Sequence, residues 1–354
     1  MEALTAAAGT LGKPLTIATR LRGSDRSTVV RATVDGGPDT VIVKAHRPEY
    51  AADGRREAAA LAALRGRGLP VPELLATVDD PALVVLADAG DGPNLADALL
   101  GDDAATATAR LHAWADALAA LHAAAVSTVD GPPAELADHM PDLLADAADR
   151  LVTHLPALGV TPAEPALADL RAAAGRFTTR VDALTPSDAC PDNNVMTRDG
   201  MVLIDFEEAC VRHVAWDAAY LLLPWPSCWC SWGLPDGVAR TALGRWRETL
   251  ARHIPAVAGT DFDRDLDVAV VAWAVMSSAW FLRGALDEEH EPPAGTPPRG
   301  PTRRAVIRHR LRLVTARREV SPALAALADE MLAATADRWG DHHLAVAPAY
   351  RGTR

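Results

Sequence analysis

The order in which strand-like and helix-like segments follow one another limits the fold of this chain more than any other feature. Two β-type runs, Leu15–Arg22 and Thr28–Val34, flank the turn-like Gly23-Ser24-Asp25-Arg26-Ser27. A second turn signal, Asp35-Gly36-Gly37-Pro38, leads to the β-branched run Thr40–Ala45. These three runs describe an antiparallel meander. An Ala- and Leu-rich helix over Tyr50–Arg65 follows, stopped by Gly66 and Gly68 with Pro70 and Pro72 behind them. Two more short strands, Leu74–Val78 and Ala82–Leu86, bracket Asp79-Asp80-Pro81. The order β-β-β-α-β-β within the first 87 residues calls for a small five-stranded antiparallel sheet with one helix, and not for a doubly wound parallel sheet.

Helical patterns dominate the remainder. Asp88–Pro93, polar and glycine-rich, is a candidate hinge, so the expected organisation is a small lobe over residues 1–87, a connector over 88–93 and a helical lobe over 94–354. Asn94–Leu100 forms a short helix with Asn94 as a candidate N-cap. Ala104–Ala125 forms a long one, with Leu111, Trp114, Leu118 and Leu121 on one stripe. Segments 134–156 and 164–182 are also helical in pattern. Between 184 and 205 the pattern changes to a loop, Thr185–Asn194, and a tiny hairpin: Val195-Met196, a turn at Arg198-Asp199-Gly200, then Met201–Ile204. Helical patterns return and run to about residue 338, broken by the Pro/Gly-rich stretch Glu291–Pro301.

Composition excludes several classes. A net charge of −12 removes the basic footprint of a nucleic-acid binder and favours cationic ligands. The N-terminus lacks the basic start and apolar run of a signal peptide, and the apolar stretch Val268–Leu282 is shorter than a bilayer span, so it is expected to be a buried helix in a cytoplasmic protein. Cys190, Cys210, Cys228 and Cys230 are too few and too clustered for a secreted disulfide framework, and Cys228-Trp229-Cys230 has no second pair at zinc spacing. Arginine almost replaces lysine: only Lys13 and Lys44 remain among 35 basic residues, so a lysine at position 44 is expected to be needed as lysine.

The chemistry concentrates around the hairpin. Asp188 precedes Asn193 by five positions, and Asp205 follows Asn193 by twelve, in Leu203-Ile204-Asp205-Phe206-Glu207. The hairpin folds the chain back, which can bring Asn193 and Asp205 side by side with Asp188 nearby. Phosphoryl transfer needs such a set. One carboxylate orients the attacking hydroxyl and takes its proton, while an amide oxygen and a second carboxylate offer hard oxygen ligands to magnesium.

This series resembles the catalytic core of the aminoglycoside phosphotransferase family, a branch of the protein-kinase-like fold. The likeness extends over about residues 15–285. It implies an α+β bilobal fold, with a small antiparallel β-sheet N-lobe and a mostly helical C-lobe. It also implies a kinase that moves the γ-phosphate of ATP or GTP to a hydroxyl of a small acceptor, with Mg2+. By position, Asp188 would be the catalytic base, and Asn193 and Asp205 the metal ligands. Lys44, in Val41-Ile42-Val43-Lys44, would bind phosphate, with Glu57 on the next helix as its partner. Asp217 would brace the catalytic loop. The sequence departs from the family pattern in three places. Pro186-Ser187-Asp188 stands where His-Gly-Asp is usual, Glu207 replaces a glycine, and the loop at Gly23 is not a full Gly-x-Gly-x-x-Gly. These departures motivate an alternative, a catalytically weak pseudokinase that binds nucleotide and regulates.

Each of these residues also has a plainer explanation. Lys44 could be an edge lysine, Glu57 a surface carboxylate, and Asp188 and Asn193 turn residues. Asn194 competes with Asn193 for the metal. His213 is expected to be an ordinary residue at the approach to a helix. Trp216, Trp225, Trp229 and Trp232 are expected to pack the helical lobe, with an aromatic wall for a cationic acceptor as the other possibility. The acidic runs Asp261–Asp267 and Asp287–Glu291 are solvated faces or, in an aminoglycoside-like site, amine binders. The acceptor itself is expected beside Asp188, against parts of residues 210–290.

Overall fold

The computed structural model describes residues 2–21, 23–37, 39–125, 132–287 and 300–352. The chain divides into two compact units. The first holds residues 1–95, 116–137 and 182–212, and the second holds 96–115, 138–181 and 213–354.

In the first unit, α1 (Glu2–Leu11) precedes β1 (Leu15–Arg20), β2 (Ser27–Val34) and β3 (Thr40–His46). Then come α2 (Ala51–Leu64), β4 (Leu74–Val78) and β5 (Leu83–Ala87). The strands form one sheet in the order β1-β2-β3-β5-β4, with every pair antiparallel. The expected order β-β-β-α-β-β is therefore found, with strand ends shifted by a residue or two. No element was expected over the first fourteen residues, yet α1 is there. Its Ala7 is fully buried in one cluster with Val30, Ala32, Val41, Val43 and Val85, so α1 covers one face of the sheet.

Strand alternation sends Lys44 and His46 to the opposite face, away from Val43. Lys44 pairs with Val29 on one side and Val84 on the other, deep in the sheet. On this face α2 buries Gly54, Glu57, Ala60, Leu61 and Leu64, a three-to-four-residue spacing that gives the helix one inward stripe. Gly54 is required there by close approach: a Cβ at this position would lie 2.7 Å from His46 Cδ2.

Four short strands complete this unit: β6 (Asp182–Thr185), β7 (Asn194–Thr197), β8 (Gly200–Leu203) and β9 (Cys210–His213). β7 and β8 form the expected hairpin, with Asn194 opposite Leu203 and Thr197 opposite Gly200. β6 pairs with β9 in a second small sheet that the sequence patterns did not reveal.

The helical elements are α3 (Leu95–Leu100), α4 (Ala104–Ala125), α5 (Met140–His154), α6 (Glu164–Arg171), α7 (Ala215–Leu222), α8 (Asp236–Ala251), α9 (Thr260–Leu286), α10 (Arg303–Thr315) and α11 (Pro322–Trp339). The helix expected over 164–182 ends at Arg171; a 3-10 turn follows at Ala173–Arg176 and the chain enters β6 at Asp182. The helix expected over 134–156 starts at Met140, with Pro141 at its first turn.

α9 is the spine of the second unit. It is long and apolar enough to cross a membrane, but 72% of its most apolar window is buried inside the protein, and it packs on α5, α7 and α10. Sixteen of its residues, Leu266, Val270, Trp273 and Met276 among them, are buried. Each large apolar side chain so buried contributes about 1.5–3 kcal/mol relative to exposure. Trp216 meets Trp273 edge-on at 5.9 Å, Trp225 meets Trp114 at 6.3 Å, and Trp273 Nε1 donates to Trp216 O at 2.9 Å. These indoles pack the core, as do the buried thiols of Cys210 and Cys230 in their respective units.

The acidic run Asp261–Asp267 is not one solvated face. Asp261 pairs with Arg264, Asp263 with Arg247 and Asp267 with Arg317. Asp265 is fully buried and accepts from the backbone and hydroxyls of Thr178 and Thr179. Residues 288–291 of the second acidic run, and most of the Glu291–Pro301 break, lie outside the described residues.

Candidate active site

Of the residues singled out from the sequence, Lys44, Glu57, Asp188, Asn193 and Asp205 lie in the first unit. Lys44 Nζ lies 3.0 Å from Glu57 Oε2, 2.5 Å from Asp205 Oδ1 and 2.8 Å from Glu207 Oε2. Lys44 is 6% exposed and Glu57 1%. Burial alone would pull the ammonium pKa down, but the three carboxylates outweigh it and raise it above its ordinary value. Glu57 also accepts from the Phe206 backbone N–H at 3.2 Å, so one buried carboxylate ties β3 to the segment carrying Asp205. His46, both of whose ring nitrogens lack a hydrogen bond among the described residues, sits 4.0 Å from Glu57. Burial, and then the Lys44 charge, lowers its pKa to about 4 and keeps it neutral.

The hairpin aligns the other half of the site. Ile204 N donates to Asn193 O at 3.0 Å, which sets Asn193 beside the residue preceding Asp205. Asn193 Nδ2 donates to Asp188 O at 2.8 Å and lies 3.4 Å from Asp188 Oδ2. The two asparagines differ in their hydrogen bonding. Asn194 is 1% exposed; its Oδ1 accepts from Leu95 N and its Nδ2 donates to Pro191 O, so its amide is spent on the backbone. Asn193 Oδ1 and Asp205 Oδ2 accept no hydrogen bond among the described residues. Two hard oxygens therefore remain available on the two side chains expected to hold magnesium.

Strain marks the same two segments. Asp205 has φ 67° and Ser187, just before Asp188, has φ 60°. Left-handed backbone is costly for residues other than glycine, and it persists only where surrounding bonds enforce it. Ser187 is enforced on three sides: its N–H donates to Thr185 Oγ1 at 2.9 Å, its carbonyl accepts from Arg212 Nη2 at 2.9 Å, and its hydroxyl lies 3.0 Å from Cys210 Sγ. Arg212 is 2% exposed and was not singled out from the sequence. A lone arginine inside the apolar strand Cys210-Val211-Arg212-His213 was the available signal. It braces the loop that in this chain lacks a histidine.

Glu207, which replaces the usual glycine, enters the site. It is 5% exposed, contacts Lys44 through Oε2, and receives Arg26 Nη2 at 2.6 Å on Oε1. Burial and the neighbouring Asp205 charge raise its pKa, against the pull of Lys44 and Arg26. Arg26 also pairs with Glu208 at 2.5 Å and Asp53 at 3.5 Å, and Arg56 with Asp53 at 3.4 Å and Glu208 at 3.9 Å. Among the described residues, the carboxylates of Asp53, Glu57, Asp205, Glu207 and Glu208 face only three cations: Arg26, Lys44 and Arg56. That leaves an excess of two negative charges, the deficit a divalent cation would fill.

In the second unit, Asp217 lies fully buried in the first turn of α7. His213 behaves as expected of a helix-approach residue: its Nδ1 accepts from Ala215 N at 3.2 Å while Nε2 lies 2.9 Å from Thr179 Oγ1.

Comparison with known proteins fixes the family. The model of the phosphotransferase enzyme family matches residues 16–253, two thirds of the chain. The chain belongs to that family. This agrees with the resemblance carried by Asp188, Asn193, Asp205 and Lys44, and it makes the protein a phosphotransferase. No curated protein matches the chain. Among solved structures, it resembles a choline/ethanolamine kinase family protein from Mesorhizobium loti at TM-score 0.54 and 16% identity, covering 93% of this chain and 98% of that one. It resembles choline kinase from Cryptosporidium parvum at TM-score 0.53 and 11% identity, covering 92% and 93%. The ternary complex of APH(2")-IIa with streptomycin and ATP matches at TM-score 0.51 and 13% identity, covering 82% and 91%. The fold of this phosphotransferase is thus protein-kinase-like, an α+β fold with a five-stranded antiparallel sheet and a helical remainder.

Proposed function

We propose that this phosphotransferase moves the γ-phosphate of ATP or GTP to a hydroxyl of a small, amine-bearing acceptor, using Mg2+. The observation that carries this reading is the convergence of Lys44, Glu57 and Asp205 within 3.0 Å contacts while Asn193 joins Asp188 to the same hairpin. Glu57 holds the Lys44 ammonium in place for the nucleotide phosphates. Asn193 Oδ1 and the Asp205 carboxylate would hold the magnesium ion, which when bound neutralises phosphate charge. Asp188 orients the acceptor hydroxyl and receives its proton. A base that takes the proton late in a loose transition state needs no raised pKa, so an ordinary aspartate suffices. The net charge of −12 supports a cationic acceptor. The structural neighbours include a protein titled as choline kinase and one titled as a streptomycin–ATP complex, and choline and streptomycin both carry cationic nitrogen.

The second reading, a weak nucleotide-binding pseudokinase, draws on Glu207 beside Lys44 and on the missing histidine. The deciding experiment is magnesium-dependent turnover of ATP and GTP across a panel of aminoglycosides, amino alcohols and neutral sugars. The expected result is acceptor-dependent release of ADP or GDP with an amine-bearing hydroxyl compound. Nucleotide binding without transfer to any member would favour the pseudokinase.

A further inference from the structure

Two consecutive residues of α2 grip the segment that carries Asp205. Glu57 Oε1 accepts from Phe206 N at 3.2 Å, and Arg56 Nη1 donates to Glu207 O at 2.9 Å. The first bond holds the peptide just after Asp205, and the second holds the peptide two further on. Phe206 is fully buried between them, and its carbonyl accepts from Ala209 N at 3.0 Å, which closes the segment into a turn. On the other side of Asp205, Ile204 N is fixed to Asn193 O at 3.0 Å. Asp205 needs these anchors, because its φ of 67° is costly for aspartate and persists only under restraint.

Of these anchors, Arg56 is the one supplied by a side chain outside the proposed chemistry. Its Nε donates to Glu135 O at 3.3 Å, so the guanidinium spans two carbonyls, Glu135 and Glu207, that are distant in the chain. Ion pairing does not explain the arginine. Nη1 lies 3.4 Å from Asp53 Oδ1 and 3.9 Å from Glu208 Oε2, both longer than its bond to the Glu207 carbonyl. Arg26 stands closer to Glu208, at 2.5 Å, and also reaches Asp53, at 3.5 Å, so neither carboxylate is stranded without Arg56. The Arg56 side chain is 23% exposed, so water can replace it on the two carbonyls, but water does not fix their position. A rigid fork does, and a lysine, with one nitrogen, cannot span both.

We infer that Arg56 is a positioning residue for the Asp205 carboxylate: it locks the backbone after Asp205 onto α2 and so aims the metal-binding oxygens without touching metal or nucleotide. This rests on the proposed role of Asp205 as a magnesium ligand. It goes beyond that role in assigning the orientation of the ligand to a residue of the helix that also carries Glu57.

The test is titration of the full-length protein with ATP in the presence and absence of Mg2+, and with Mg2+ at fixed ATP. The proteins are the wild type, Arg56→Ala, Arg56→Lys and Asp205→Asn, with a melting curve for each. Arg56→Ala should need roughly tenfold more Mg2+ for half-saturation, the size expected when a group that orients a metal ligand is lost. Its magnesium-free ATP binding should match the wild type, and Arg56→Lys should recover part of the loss. If the alanine variant does not fold, the lysine variant carries the test, with a smaller shift of the same sign. Unchanged magnesium dependence in the Arg56 variants, beside a lost dependence in Asp205→Asn, would overturn this inference alone. Equal weakening of ATP binding with and without Mg2+ would also overturn it, as a general loosening of α2. A wild type whose ATP binding ignores Mg2+, or an Asp205→Asn variant that keeps the wild-type dependence, would instead remove the metal role of Asp205, and this inference with it.

Discussion

Two buried cations, one in each unit, show opposite uses of burial. Lys44 is 6% exposed and touches three carboxylates; Arg310, on α10, is 1% exposed and touches none among the described residues. The Arg310 guanidinium lies 4.7 Å over the Phe281 ring and donates through Nη2 to Pro226 O at 2.9 Å, while Nη1 has no partner among the described residues. Burial lowers its pKa to about 9, whereas the Lys44 pKa is raised. Arg310 ends on a loop that begins at Trp225, a buried residue with φ 42°, and Ser231 Oγ ties the same loop to Trp225 O and Cys228 O. The difference is instructive. One buried charge is held by opposite charges, and the other, on a carbonyl beneath an aromatic ring, is part of the scaffold.

The largest expected effects separate the two cations by readout. Lys44→Ala should lower turnover roughly 100-fold or more, since a preorganised phosphate contact is lost, while the protein stays folded. Arg310→Ala should cost about 2–4 kcal/mol of stability, for the cavity and the abandoned carbonyl, and leave the turnover of the folded fraction close to wild type. Arg310→Met, which keeps the apolar stem without an uncompensated charge, should cost less than the alanine variant. Denaturant melts and turnover rates on the same preparations check the split. If Lys44→Ala unfolds the protein, or Arg310→Ala abolishes turnover without loss of stability, the contrast fails.

A smaller effect follows from the histidines beside each region. His46 near Lys44 and His213 near Asp265 both have pKa values lowered to about 4, chiefly by burial. Both are neutral in the fold, while in the unfolded chain they titrate near 6.5. Their contribution is present above pH 6.5 and is lost as pH falls toward 4, because only the unfolded state takes up the proton. Each should steepen the loss by up to about 1.4 kcal/mol per pH unit. Melting temperatures measured from pH 7.5 to 4.5 should fall through this window, and His213→Asn should flatten the fall. A flat profile for the wild type would contradict the assigned neutral state.

Of the two cations only Lys44 was legible in the sequence, and the legible part of the fold has a physical pattern. The sheet strands announce themselves by β-branched runs between Gly/Pro turns, and α4 has the bounds its helical pattern predicts, Ala104–Ala125. Asp188, Asn193 and Asp205 could be named because their spacing around a hairpin lets them meet, and Lys44 because lysine is otherwise almost absent and it stands on a strand ahead of the helix with Glu57; their roles came from the family resemblance. What stayed hidden depends on partners distant in the chain. β6 and β9 are four-residue strands that exist only because they pair across twenty-five or more positions. α1 is composed largely of alanine, threonine and glycine and gains its burial from the sheet face it covers. The choice of Asn193 over Asn194 as the available amide needed the backbone groups that occupy Asn194. Glu207 was visible as a replaced glycine and Arg212 as a lone arginine in an apolar strand, but the partners of both, and of Arg26, appear only once the strands bring them together.

In the proposed chemistry Asp188 serves the acceptor, while Asp205 serves the metal and its nucleotide. The most direct measurement compares Asp188→Asn and Asp205→Asn with the wild type in two assays: magnesium-dependent ATP binding, and phosphate transfer to a verified acceptor. Asp188→Asn should bind ATP like the wild type and lose turnover roughly 100-fold or more, as for removal of a positioned general base. Asp205→Asn should weaken ATP binding in magnesium and leave magnesium-free binding nearly unchanged. Near-full transfer activity in Asp188→Asn would contradict the account.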